Sequence, residues 1–69
     1  MTMVPVSSSN LVSVGYDVAS QTLRIQFRSG TYDYFAVPPH IHQGLMNASS
    51  KGTYHDVYIK KGPYRYKKV

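Results

Sequence analysis

The chain has 69 residues, no cysteine, and eight lysines and arginines against three acidic residues, a formal charge of +5. That length holds a single domain. The composition excludes disulfides and thiolate metal sites, and no run approaches the ~20 apolar residues of a membrane-spanning helix.

Residues 1–8 contain Pro5 and two of three consecutive serines and predict a flexible terminus. Residues 9–69 form the expected domain. In NLVSVGYD, Val12, Val14 and Tyr16 alternate with Leu11, Ser13 and Gly15, the pattern of a strand with one apolar face. DVASQT is a polar turn. TLRIQFR alternates more sharply, with Leu23, Ile25 and Phe27 against Arg24, Gln26 and Arg28. Ser29-Gly30 predicts a two-residue hairpin loop and TYDYFAV a third strand. That loop would pair Phe27 with Tyr32, Ile25 with Tyr34 and Leu23 with Ala36. The first hairpin would add Val12, Val14 and Tyr16 to the same face.

Pro38-Pro39 ends the third strand and opens a helix, since proline is tolerated in a first turn. Ile41, Leu45 and Ala48 recur at helical spacing and should cover the apolar sheet face. Gly44, inside this helix, suggests close approach by a tyrosine ring. Ser49 or Ser50 caps a short second helix with Tyr54, Tyr58 and Ile59 inward. GPYRYKKV is extended and either adds a strand or lies on the helices. The expected class is α+β: a three-stranded antiparallel meander, one or two short helices on one face, and an extended basic C-terminal segment.

The charge is placed unevenly. Arg24 and Arg28 balance Asp17 and Asp33, so the whole excess lies in residues 51–69, where Lys51, Lys60, Lys61, Arg65, Lys67 and Lys68 face Asp56 alone. Such asymmetry favours a polyanionic partner. Tyrosines among these cations can stack on bases while lysines hold phosphates. Tyr64 and Tyr66 are therefore the stacking candidates. Arg24, Arg28 and Phe35 on the polar sheet face form a second candidate surface.

Other chemistries find little support. His40 and His42 are two apart where a helical zinc pair needs four, and His55 reads as a separate surface histidine. The three aspartates form no visible acid–base pair. No nucleophile elbow or phosphate-cradling glycine loop occurs. A non-enzymatic protein without cofactor is expected. The first ten residues lack a signal peptide's basic flank and apolar run, which predicts a cytoplasmic protein with no membrane partner.

The ordered pieces SSSN-x-x-SVGYD, TL-x-I-x-F-x-SG, Y-x-YF-x-VP, SKG-x-Y and YRY-x-x-V resemble the KTSC domain family over residues 7–69. Domains of that family lie at the carboxyl terminus of some lysyl-tRNA synthetases and also stand alone. The resemblance implies a fold and a link to RNA, with no catalytic residues to carry over. Its Y-x-Y motif falls on Tyr32 and Tyr34, both expected to be structural. His55 and Asp56 follow Tyr54 where the family often has a second aromatic and an asparagine. The expected function is nucleic-acid binding, RNA favoured, by the basic tyrosine-bearing C-terminal edge. The alternatives are an interaction module for an acidic protein and a binder of a small anionic nucleotide.

Overall fold

In the computed structural model, which describes residues 1–69, the alternating segments assemble into a five-stranded antiparallel sheet, with the strands side by side in chain order. These are β1 (Met3–Pro5), β2 (Leu11–Asp17), β3 (Thr22–Phe27), β4 (Gly30–Tyr34) and β5 (Tyr66–Lys68). Between β4 and β5 lie α1 (Pro39–Asn47), α2 (Lys51–Tyr54) and a π-helical segment, His55–Lys60, that continues α2. The α+β class and the central meander are as expected, and a short strand extends the sheet at either edge. Met3–Pro5 pairs with β2, where the sequence predicts an irregular terminus. The C-terminal segment docks on β4.

Register shows how period-2 geometry tolerates one error and punishes another. The β3–β4 loop is Arg28-Ser29, not Ser29-Gly30, so Phe27 pairs with Gly30, Ile25 with Tyr32 and Leu23 with Tyr34. Gly30 opens β4 at φ +149, a conformation that favours glycine. Arg28 N–H donates to Asn10 O at 3.2 Å and extends the ladder beside β2. The slip from the expected pairing is two residues, so every side chain keeps its face.

An odd slip does the opposite. β2 and β3 pair as expected from Tyr16–Leu23 to Val14–Ile25, but the register shifts between Leu11 and Ser13. This bulge puts Leu11 in the core at 1% exposure and leaves Val12 38% exposed, reversing their expected roles. A positive φ at Ala36 similarly ends the alternation, and Val37 takes the buried place expected for Ala36.

The core comprises Leu11, Val14, Leu23, Ile25, Tyr34, Val37, Leu45 and Ile59. Leu45 is the buried residue of α1; Ile41 and Met46 flank it, and Ala48 has already left the helix as its cap. The Tyr16 hydroxyl donates to Val37 O at 2.5 Å, and its ring stacks on His42 at 4.6 Å. Gly44 is where α1 meets the second helix: the Tyr54 ring fills the space that a side chain there would need. Tyr58, expected inward, is exposed, and His55 is buried instead.

Candidate nucleic-acid interface

A continuous groove follows the meeting of the β3–β4–β5 end of the sheet with α2 and its π-helical continuation. It comprises three adjoining concavities of about 450, 430 and 480 Å³. The first and second share Phe27, Ser29, His55 and Lys60. The second and third share Asn10, Gly52 and Asp56. One end is aromatic and the other is lined by hydroxyls.

The aromatic end is a closed circuit of five rings. Phe27 meets Tyr32 at 6.0 Å, Tyr32 meets Tyr66 at 6.1 Å, and Tyr66 meets Tyr34 at 5.9 Å. Tyr34 meets His55 at 5.5 Å and His55 returns to Phe27 at 4.8 Å. Strand pairing builds three corners: Tyr34 lies opposite Tyr66, and Tyr32 opposite Lys68, so these side chains share a face. The π-helical segment supplies His55. Wider π turns re-aim side chains and recur at functional sites.

His55 Nε2 and the Tyr34 hydroxyl are hydrogen-bonded at 2.8 Å within the protein. Burial pushes the Tyr34 phenol up to about 12, helped by Tyr32 and Tyr66 beside it. Burial, with Lys60 nearby, holds the His55 imidazole below its ordinary value despite the opposing effect of Asp56. At neutral pH this corner of the circuit is an uncharged, buried pair.

The hydroxyl-lined end brings two loops together. Ser7, Ser8, Ser9 and Asn10 precede β2, and Ser49 and Ser50 precede α2. Arg28 Nε donates to Ser9 O at 2.8 Å and ties the first loop to the β3–β4 turn. Ser8 Oγ accepts from the backbone N–H groups of Asn10 and Leu11, each at 3.4 Å. Ser50 caps α2, its Oγ accepting from Thr53 N–H at 3.4 Å and donating to Thr53 Oγ1 at 2.9 Å.

The expected binding residues divide into engaged and open groups. Arg24 is held by Asp33 through two bonds of 2.7 and 2.9 Å on the opposite sheet face. Asp33 raises the Arg24 guanidinium further by accepting these bonds. Lys51 donates to Ala48 O at 3.0 Å and closes the end of α1. Lys61 lies 3.6 Å from Asp56. Tyr64 packs against the core and Gly62. Lys60 and Lys68, by contrast, flank the aromatic circuit with no side-chain partner: Lys60 lines it, and Lys68 lies across from Tyr32 and beside Gly30.

The tail therefore does not present one basic surface. Alternation along β5 sends Tyr66 and Lys68 to the groove face and Lys67, opposite Asp33, to the other face. Arg65 is exposed just before the strand, its carbonyl accepting from Phe35 N–H at 2.9 Å. Phe35 is exposed one residue past β4 and lies outside the groove. Tyr66 is 66% exposed and completes the ring circuit.

Sequence reasoning passed over Phe27, Ser29, Asn10, Gly52, His55 and Asp56 as parts of a site. Phe27 read as core and His55 as surface. The available signal was the segments themselves: SSSN, the SG after β3, Y-x-Y, SKG and the last YRY each contribute to this one groove.

Comparison with known proteins bears on the family. The family model described as KTSC domain matches residues 7–66. An uncharacterized protein of Stutzerimonas stutzeri is 41% identical over 70 residues, covering 100% of this chain and 99% of its own. A lysine–tRNA ligase of Nostoc punctiforme is 42% identical over 55 residues, 78% of this chain but 10% of the ligase. The crystal structure of a KTSC domain protein from Yersinia pestis superposes with a TM-score of 0.93 at 46% identity, covering 99% of this chain and 96% of that one. With the family model spanning most of its length and that structure repeating its fold, the chain belongs to the KTSC domain family.

Proposed function

We propose that this protein binds single-stranded nucleic acid, RNA in preference, in the groove between the sheet and the π-helical segment, within the cytoplasm. The observation that carries this reading is the closed ring circuit flanked by Lys60 and Lys68. Tyr66, 66% exposed, offers a stacking surface worth ~1–3 kcal/mol per base, and two open ammonium groups beside the circuit suit the adjoining phosphates. The groove lies on the surface, as a polymer needs. A family relative within a lysine–tRNA ligase adds support for an RNA partner.

The reading is of binding without turnover. Asp33 is occupied by Arg24, and Asp17 closes the β2–β3 turn by accepting from Ala19 N–H and the Ser20 hydroxyl. Asp56 is then the one carboxylate side chain along the groove. The Tyr34 phenol, up to about 12, is a poor nucleophile near neutral pH.

Fluorescence anisotropy with labelled single-stranded RNA, duplex RNA and single-stranded DNA at several salt concentrations tests this. Binding should weaken steeply with salt, and Lys60→Gln with Lys68→Gln should reduce the slope by about 1–2. Tyr66→Ala should weaken binding with little change in slope. No binding at low salt by the folded protein refutes the proposal and turns the search to an acidic protein or a free nucleotide.

A further inference from the structure

Asp56 is what a simple phosphate clamp leaves unexplained. It lies with Asn10 and Gly52 at the junction between the central and hydroxyl-lined concavities, in a groove whose other charged side chains include Arg28, Lys51 and Lys60. Its ion pair with Lys61 spans 3.6 Å between side chains that are 49% and 70% exposed. Such a pair contributes little to stability, and Lys61 therefore holds the carboxylate only weakly. Beside a phosphodiester a carboxylate repels. Beside a ribose it accepts hydroxyl hydrogen bonds, the use that dinucleotide-binding folds make of an acidic residue.

We propose that Asp56 reads the ribose 2′-hydroxyl of a strand whose neighbouring base lies in the aromatic circuit, making the groove selective for single-stranded RNA over DNA. This rests on the nucleic-acid reading above. The 2′-hydroxyl is the group that separates the two polymers. Asn10, whose amide borders the same junction, supplies a neutral donor and acceptor beside the carboxylate. Gly52 keeps the passage open: a Cβ there would lie 3.7 Å from Asn10 Nδ2, an ordinary contact, whereas a longer side chain would project across the junction. The backbone at Gly52 is helical, so a larger residue is accommodated by the fold.

The test measures affinity for labelled oligouridylate and oligodeoxyuridylate of equal length at one low salt concentration. Proteins compared are the wild type, Asp56→Ala, Asp56→Asn and Gly52→Leu, each checked for folding by circular dichroism. The wild type should favour RNA by roughly ten- to a hundredfold, the range for a hydrogen bond to a charged group. Asp56→Ala should bring the ratio to about one, with DNA binding unchanged or tighter because a repelling charge is gone. Asp56→Asn keeps an acceptor and should retain part of the preference, which separates hydrogen bonding from charge. Gly52→Leu should weaken RNA binding. Equal binding of both polymers by the wild type, or an unchanged ratio in Asp56→Ala, overturns the ribose reading; single-strand binding itself stands, and with equal binding the RNA preference falls too. Binding of neither polymer overturns both.

Discussion

Replacing Tyr34 by phenylalanine removes one oxygen and leaves the ring. In the folded protein that oxygen is bonded to His55 Nε2 at 2.8 Å, with Tyr34 5% and His55 9% exposed. Water reaches this site poorly, so the imidazole nitrogen loses its partner without a full replacement. A buried polar group left unpaired costs about 1–3 kcal/mol. A domain of this length has roughly 3–10 kcal/mol in total, and each kcal/mol moves its Tm by about 4–8 °C. Tyr34→Phe should therefore lower Tm by on the order of 10 °C, followed by circular dichroism at neutral pH. The double variant Tyr34→Phe with His55→Leu removes both polar groups. It should be more stable than the sum of the two single changes, because the penalty of Tyr34→Phe resides in the orphaned histidine. A Tm within about 2 °C of wild type for Tyr34→Phe, or strict additivity in the double variant, would refute this account of the pair.

Acid should destabilise the fold. Burial lowers the folded-state pKa of His55 and of His42 below the ordinary 6.5. The unfolded chain then binds more protons as pH falls through that value, and stability drops until the folded values are passed. Denaturant melts at about pH 8 and about pH 5 should show this loss, smaller in His55→Gln; an equal loss in both proteins would exclude His55 as its source. At Gly44, alanine gains about 1 kcal/mol of helix propensity but meets the Tyr54 ring, whose Cζ lies 2.8 Å from the added carbon. Overpacking costs about 1–3 kcal/mol, so Gly44→Ala should destabilise alone yet stabilise in a Tyr54→Ala background, and stabilisation in both backgrounds would contradict the packing. Leu11→Ala should cost about 2–5 kcal/mol and Val12→Ser less than about 1 kcal/mol; equilibrium unfolding giving the reverse order would remove the β2 bulge.

Periodicity was enough for the frame. Leu23, Ile25 and Phe27 alternating with Arg24, Gln26 and Arg28, with turns on either side, determine a meander and its apolar face. Because strand side chains repeat every two residues, the two-residue error in the β3–β4 pairing left Tyr32 and Tyr34 on the expected face. Helical spacing likewise put Leu45, with Ile41 and Ala48, on the inward stripe of α1, where Leu45 is buried and Ala48 has become the cap, and glycine inside that helix marked the approach of a tyrosine ring, that of Tyr54. Local chemistry decided all of these.

The bulge at Leu11–Ser13, the turn at Ala36 and the π-helical turn at His55–Lys60 are decided by tertiary contact. Each is a single-residue change of phase that no pattern of residue types records, and each moves a side chain to the other side of its element. The groove depends on such changes of phase, and on bringing SSSN beside SKG and Tyr66 beside Tyr34, pairs far apart in the chain. Sequence alone determined that this protein is a basic α+β domain with tyrosines near its charges. Only the folded structure determined which cations remain open. Arg24 and Lys51 are consumed by partners that folding brings within reach, while Lys60 and Lys68 are left beside the rings.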